Sequence, residues 1–162
     1  MSILAIDVGT TESGYALMEM PFKLLKFGKV ENEILLDIVK NENYDKLIYE
    51  EFQSYGMPIG VSTIKSITWN GRYIQCALDR EKSIAPIYRK DEKITLCNSM
   101  KAKDSNIRQA LIDRYAKHDF KNGKGTKKNP DVFYGVSKDV WSAIAVGVTY
   151  YELKERGELV NA

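Results

Sequence analysis

Residues 2–17 have the sequence SILAIDVGTTESGYAL, in which an apolar strand is followed by a carboxylate, a glycine-containing turn and a second strand. The run from Ile3 to Ile6 is typical of a strand buried on both faces of a sheet. A charge at the end of such a strand is costly to bury unless a cation or hydrogen bonds compensate it. We therefore predict that Asp7 binds a cation or faces a phosphate. The alternative is a plain hairpin turn, in which Asp and Gly are common.

Size and composition restrict the possible classes of protein. A chain of 162 residues with 44% hydrophobic content fits a single domain, residues 1–162, with a core on both sides of a sheet. The net charge of +2 is too small to indicate nucleic-acid binding by itself. Cys76, Cys97 and His118 are the only Cys and His residues, so the usual zinc ligand sets are excluded and a metal would be held by oxygen atoms. Because the sequence has neither a secretory leader nor an apolar run of about 18 residues, we expect a cytoplasmic protein with no membrane contact.

Hydrophobic periodicity predicts a mixed α/β sheet. In the segment around residues 64–78, the apolar stripe Ile64, Ile67, Ile74 and Leu78 predicts a helix that either packs on the sheet or forms an interface, with Gly60 and Gly71 allowing close approach. Pro86 predicts that its strand either lies at an edge or bends early. The predicted strands are the two in residues 2–17, then 23–30, 46–49 and 83–88; the predicted helices include 34–39, 64–78, a helix from Asp104 or Ser105 to Tyr115, and one from near Ser137 to Tyr151.

Three carboxylates stand at element ends in this prediction. Asp7 and Glu50 each follow an apolar strand, and Asp139 lies in the first turn of the last helix, where the helix dipole favours an anion. Carboxylates from separate elements suit Mg²⁺ or Mn²⁺, and a pair of such ions can promote phosphodiester hydrolysis. Taken singly, Glu50 is equally explained as an exposed strand end and Asp139 as a helix-start charge.

Four stretches of the sequence together resemble the RuvC family of Holliday-junction resolvases, especially its small phage-encoded branch. They are IDVGTTESGY at residues 6–15, LIYEEF at 47–52, IYR at 87–89 and DVWSAIAVG at 139–147. The resemblance implies a ribonuclease-H-like mixed sheet flanked by helices on both faces. It also implies a homodimer that binds four-way DNA junctions and cuts two strands symmetrically with Mg²⁺ or Mn²⁺ during DNA recombination and repair. Asp7, Glu50 and Asp139 would be three acids of its four-carboxylate site.

The resemblance fails at the fourth acid, which the family usually carries three residues after the third. Ser142 occupies that place, one helical turn from Asp139, and a hydroxyl is a weaker ligand than a carboxylate. Three explanations are open: a naturally weakened resolvase, a compensating ligand such as Glu12 or Glu51, or a deliberate inactivating substitution. Glu51 is also the alternative to Glu50 as the second acid. Adjacent strand residues face opposite sides of a sheet, so a register shifted by one residue would put Glu51 in its place.

Basic and aromatic residues are candidates for DNA contact. Lysine and arginine neutralise phosphates without reading sequence, although a lysine-rich loop is often merely solvated. Phe52 and Tyr55 follow Glu50 and are candidates for stacking on an unpaired base, with core packing the favoured alternative for Phe52. The basic candidates are Lys101, Lys103 and Arg108 around the helix at residue 104, and Lys117, Lys121, Lys124, Lys127 and Lys128 in a loop predicted to be mobile and to lie beside the acids.

Two other functions are compatible with parts of the sequence. The hairpin at residues 7–11 is similar to the phosphate-facing hairpin of sugar kinases and other actin-like ATPases, but 162 residues leave no space for their second domain and further nucleotide loops. A junction-binding protein with little or no cleavage is the second alternative, since Ser142 weakens the proposed metal site. We expect a metal-dependent endonuclease for branched DNA, with Asp7, Glu50 and Asp139 as metal ligands and no nucleotide cofactor.

Overall fold

The computed structural model describes residues 1–159, which form an α/β fold around a mixed five-stranded sheet. The strands lie in the order β3-β2-β1-β4-β5, so β5, which contains Pro86, is an edge strand as predicted. Their bounds are β1 Ser2–Asp7, β2 Glu12–Glu19, β3 Lys23–Glu31, β4 Lys46–Glu50 and β5 Ser83–Ile87.

Five helices accompany the sheet, and one of them was not expected from the sequence. The segment after β5 forms α3, whose composition is mostly charged and whose apolar period is too weak to predict a helix. The helices are α1 Asn32–Asn41, α2 Val61–Asp79, α3 Arg89–Cys97, α4 Asp104–Tyr115 and α5 Lys138–Glu155. Within residues 1–159, none of these helices has the length and apolar character needed to cross a membrane.

Strand alternation divides the core into two layers, one on each face of the sheet. Ile3 and Ala5 of β1 face the layer formed by α5 with α3 and α4, whereas Leu4 and Ile6 face the layer formed by α1 and α2. The predicted sheet with helices on both faces is therefore confirmed. The hairpins β1–β2 and β2–β3 are antiparallel, and β4 and β5 are parallel to β1.

Helix α5 lies close to the sheet because two glycines remove side chains from the contact. A Cβ atom at Gly147 would stand 2.3 Å from the Met18 side chain and 3.1 Å from that of Ala5. A Cβ atom at Gly14 in β2 would stand 2.4 Å from the carbonyl oxygen of Asp139. The backbone of the first turn of α5 therefore rests directly on β2.

Of the two alternatives for the apolar stripe of α2, packing on the sheet holds for Ile74 but not for the other three residues. Ile64, Ile67 and Leu78 are 53%, 39% and 44% exposed, and the helix instead buries Ser66, Asn70, Tyr73 and Ala77. A Cβ atom added at Gly60 or at Gly71 would have no neighbouring atom within 4 Å, so these glycines do not mediate close packing. Hydrophobic periodicity locates an apolar face but does not say whether the sheet or another surface covers it.

The segment between α4 and α5 is more organised than the predicted mobile loop. The carboxylate of Asp131 accepts backbone N–H bonds from Lys117, His118, Asp119 and Val132 at 2.7–3.1 Å. Burial opposes the charge, but these backbone donors hold the pKa of Asp131 below its ordinary value. The absence of an apolar period hid this ordering, because backbone hydrogen bonds rather than apolar contacts provide it.

We expect Gly14→Ala to destabilise the protein by about 1–3 kcal/mol, because the new methyl group must displace the backbone of α5. Urea denaturation measures the change. Gly71→Ala is the matched control, since its methyl group enters open space on a helix and should stabilise the protein by about 0.5–1 kcal/mol. A Gly14→Ala variant as stable as the wild type would contradict the close contact.

Candidate functional site

Asp7 and Glu50 end two neighbouring parallel strands at the same edge of the sheet. The register pairs Ile6 with Tyr49, so Asp7 and Glu50 are the next residues on β1 and β4. Side-chain alternation places both on the α5 face, which Ala5 and Ile48 share. Glu51 follows the opposite parity, and its N–H donates to the carbonyl of Ile87 at 2.9 Å. This geometry favours Glu50 over Glu51 as the partner of Asp7.

A buried hydrogen-bond network holds the turn that follows Asp7. The Gly9 N–H donates to the Ser13 hydroxyl at 3.1 Å, and this hydroxyl donates to the side-chain oxygen of Asn32 at 2.6 Å. The Asn32 side-chain amide donates back to the Gly9 carbonyl at 3.0 Å, and Tyr73 donates its hydroxyl proton to the Asn32 backbone carbonyl at 2.9 Å. A Cβ at Gly9 would lie 2.2 Å from the Glu12 carbonyl oxygen, so the turn requires glycine there.

Asp139 reaches the same edge from the first turn of α5. Its backbone rests on Gly14, the residue that pairs with Asp7 across the β1–β2 hairpin. Asp7 and Asp139 line one cleft, together with Glu12 and Lys29. The carboxylate of Asp139 forms an ion pair with the Lys29 ammonium at 2.7 Å. Sequence analysis did not single out Lys29, although its place opposite Gly14 in the β2–β3 register brings it here.

The electrostatics show that these acids act on one another. Burial, together with the negative charges of Glu50 and Asp139, raises the pKa of Asp7 to about 7, against the opposing effect of Arg89. Burial also raises the pKa of Glu50. The acids are therefore close enough to repel one another, and a cation among them would relieve that repulsion.

Sequence analysis missed Glu92, a further acid near this group. Glu92 lies in the first turn of α3 and is fully buried. Burial raises its pKa to about 8, with Glu50 and Asp7 adding to the increase and Arg89 opposing it. The IYR stretch ends three residues before Glu92. Because the sequence predicted no helix after that stretch, nothing in the sequence indicated that the Glu92 side chain lies near the other acids.

The donor chemistry fits a hard divalent cation, because the cluster supplies carboxylate oxygens and an excess of negative charge. Across residues 1–159, no three Asp, Glu, His or Cys side chains are gathered so that they could hold a metal ion as they stand. Lys29 holds the carboxylate of Asp139 in this conformation. A metal ion would therefore have to exchange with Lys29 and draw the carboxylates together.

Ser142 lies in a neighbouring cleft with a different character. The residues around it include Arg89, Asp104, Arg108 and Lys138. The Arg89 guanidinium forms an ion pair with Asp104, and the guanidinium of Arg108 lies 5.7 Å from the centre of the Trp141 ring. Ser142 thus borders a mainly cationic surface, which can contact phosphate.

The basic candidates are all exposed, but they do not share one location. Arg108 borders the cleft at Ser142, whereas the lysines of the loop contribute to neither cleft. The ring of Tyr115, at the end of α4, stacks on Phe22 in the β2–β3 connection, so the loop starts at the sheet end opposite Asp7. The loop ends at Lys138, next to Asp139, so the position of its lysines beside the acids and their phosphate-binding role both stay predictions. The exposed basic candidates are Lys101, Lys103, Arg108, Lys117, Lys121, Lys124, Lys127 and Lys128.

The remaining candidates have clear positions. Glu12 is exposed and lines the cleft that contains Asp7 and Asp139. Phe52 is half-buried, whereas Tyr55 is 73% exposed and its hydroxyl donates to the side-chain oxygen of Gln53 at 2.6 Å. The exposed ring of Tyr55 remains available for stacking. The roles of all these residues stay predictions.

Comparisons with known proteins identify the fold but provide no sequence family. No protein-family model matches the chain, and no curated protein matches it. Among solved structures, Thermus thermophilus RuvC has a TM-score of 0.70 at 13% identity, over 98% of each chain. The yeast mitochondrial Holliday junction resolvase has a TM-score of 0.61 at 12% identity, over 95% of this chain and 79% of that one. The fowlpox virus resolvase, solved with Holliday junction DNA, has a TM-score of 0.57 at 15% identity, over 93% of this chain and 98% of that one.

The similarity to RuvC extends over the whole described sheet and its helices, and is not confined to the first hairpin. Actin-like enzymes share such a hairpin, so a match over 98% of both chains favours the resolvase architecture over theirs. The resemblance to the phage-encoded branch is not tested by these structures and stays a prediction. The chain has the ribonuclease-H-like fold of RuvC and other Holliday junction resolvases.

Proposed function

We propose that the protein is a metal-dependent endonuclease that resolves four-way DNA junctions and other branched DNA by phosphodiester hydrolysis. What supports this proposal is that Asp7 and Glu50 end neighbouring parallel strands and that Asp7 and Asp139 line one cleft, within a RuvC-like fold. Structures of RuvC and of the fowlpox virus resolvase contain Holliday junction DNA, which supports a branched substrate for this chain.

The three acids would divide the work of holding Mg²⁺ or Mn²⁺. Asp7, central among them, would bridge two ions, with Glu50 holding one and Asp139 the other. When bound, such ions lower the pKa of water and stabilise the attacking and leaving oxygens of a phosphodiester. The turn network at Gly9, Ser13 and Asn32 fixes the backbone after Asp7 and so orients its carboxylate.

The cationic surface around Ser142 would position the DNA backbone near the acids. Arg108 and Lys138 are exposed there, and contacts of this kind make binding dependent on salt rather than on sequence. The more distant lysines of the loop would contact a second part of a branched substrate, because junction arms extend beyond the cleft.

A homodimer would supply the two cutting sites that symmetric cleavage needs. The exposed apolar face of α2 supports this arrangement, since Val61 is 72% exposed and Ile64 and Ile67 follow it along the helix. Burial of such a face against a second copy of the chain would remove apolar area from water. The stripe that the sequence left open between core and interface would then be the interface.

A junction-binding protein with weak cleavage is the second candidate. It is favoured by Ser142, which supplies no carboxylate, and by the ion pair that keeps Asp139 on Lys29. It shares the fold and the DNA surface with the first candidate, and differs in the affinity of the acids for a metal ion.

We expect Asp7→Asn to abolish Mn²⁺-dependent cleavage of a synthetic four-way junction while leaving junction binding intact. The amide removes a charge that the metal ions need but keeps the size of the side chain. Cleavage assays and electrophoretic mobility shifts in EDTA measure the two properties. Asp37→Asn, an exposed change on α1, is the control. Loss of binding together with cleavage would instead make Asp7 a structural residue.

We expect Ser142→Asp to increase the rate of metal-dependent junction cleavage. The new carboxylate would stand one turn from Asp139, and Arg89 and Arg108 would stabilise its charge. Single-turnover cleavage with Mn²⁺ measures the effect, and Ser142→Asn separates the charge from the change of size. An unchanged rate would contradict the assignment of position 142 as the place of the fourth metal ligand.

We expect Ile64→Glu to convert a dimer into a monomer, because a charge in the centre of the apolar face of α2 is costly to bury. Sedimentation velocity at several protein concentrations measures the change. Lys65→Glu, on the adjacent exposed position, controls for charge. A wild-type protein that stays monomeric at all concentrations would contradict the proposed interface.

A further inference from the structure

Glu92 is a buried carboxylate without hydrogen-bond partners. Its side chain has no solvent exposure, and neither of its carboxylate oxygens has a hydrogen-bond partner in the described structure. The guanidinium of Arg89 approaches one oxygen at 3.6 Å, which is an ionic contact beyond hydrogen-bonding distance. A buried carboxyl group with so little compensation is costly in either protonation state, because its oxygens lack partners and the charged form adds the cost of desolvation.

The connection from β5 to α3 brings Glu92 to the acids. Ile87, the last residue of β5, pairs with Glu50, and α3 begins two residues later. The Glu92 N–H donates to the Tyr88 carbonyl at 3.2 Å, which places Glu92 one helical turn beyond the strand end. Leu96, one helical turn after Glu92, packs in the same core layer as Ala5 and Ile48. Glu92 therefore lies on the α5 side of the sheet, which is the side of Asp7 and Glu50.

The nearby cations do not balance these acids. Arg89 is shared between Glu92 and Asp104, and Lys29 is paired with Asp139. Arg89 is therefore the cation that acts on Asp7, Glu50 and Glu92, and it is also paired with Asp104. A divalent cation held here would supply positive charge, and the unpartnered carboxylate oxygens of Glu92 are donors of the kind it prefers.

We propose that Glu92 is a further metal ligand of this site, supplied by α3 next to Glu50. This inference rests on the proposed function and adds a residue that the predicted acid set lacks. Ser142, which stands where the fourth acid was expected, is uncharged and lines a mainly cationic cleft. Glu92 would supply the carboxylate that Ser142 lacks. A purely structural residue here would be apolar, because an apolar side chain of the same size fills the space without a buried charge.

Titration of the protein with Mn²⁺ in an isothermal calorimeter, without DNA, tests this role apart from cleavage. We expect Glu92→Gln to fold and to weaken Mn²⁺ binding by about tenfold or more, since even residues that merely support metal ligands contribute that much. Glu33→Gln is the matched control: Glu33 also lies in the first turn of a helix, but it is exposed. It should bind Mn²⁺ as the wild type does.

Glu92→Met provides a second variant if the glutamine variant does not fold, because it replaces the buried charge with an apolar side chain of similar length. Mn²⁺ affinity within about twofold of the wild type, in whichever variant folds, would overturn the role of Glu92. Asp7→Asn separates this failure from that of the proposed function. If the wild type binds no Mn²⁺, or binds it equally well after Asp7→Asn, the metal site itself is refuted. If Asp7→Asn loses binding and the Glu92 variants keep it, only the inference about Glu92 fails.

Discussion

The contact between Gly14 and the backbone of Asp139 sets the distance between the last helix and the sheet. No side chain separates them, so the first turn of α5 lies on β2 beside the strand end that carries Asp7. Glycine at position 147 extends this close approach along the same helix. Acids that are more than 130 residues apart in the chain therefore line one cleft, and the proposed metal site depends on that packing.

The cost of this arrangement is electrostatic. Burial and mutual repulsion raise the pKa of Asp7 to about 7 and that of Glu92 to about 8. Without a cation, each carboxyl group is therefore harder to ionise than a free carboxyl group. Lys29 and Arg89 offset part of the repulsion. Sites that bind divalent ions commonly accept such strain, since the ion supplies the stabilisation that the protein lacks.

Sequence patterns predicted the elements that are governed by local chemistry. The apolar run of β1 and its turn, the edge position of the strand with Pro86, and the helix after Ser137 all agree with the structure. The sequence left the apolar stripe of α2 open between core and interface, because Ile64 and Ile67 form such a stripe whether or not the sheet covers it. Helix α3, and with it Glu92, was missed because its residues are mostly charged.

The sequence by itself determined which carboxylates end buried strands, because an apolar run followed by Asp or Glu is a local pattern. It also determined that a metal would be held by oxygen, since the chain has too few Cys and His residues for another site. Only the tertiary structure decided that Glu50 rather than Glu51 shares the face of Asp7, that Lys29 pairs with Asp139, and that Glu92 is buried on the same side of the sheet as Asp7. Those three outcomes depend on strand register and helix packing, which arise from contacts between residues distant in the chain.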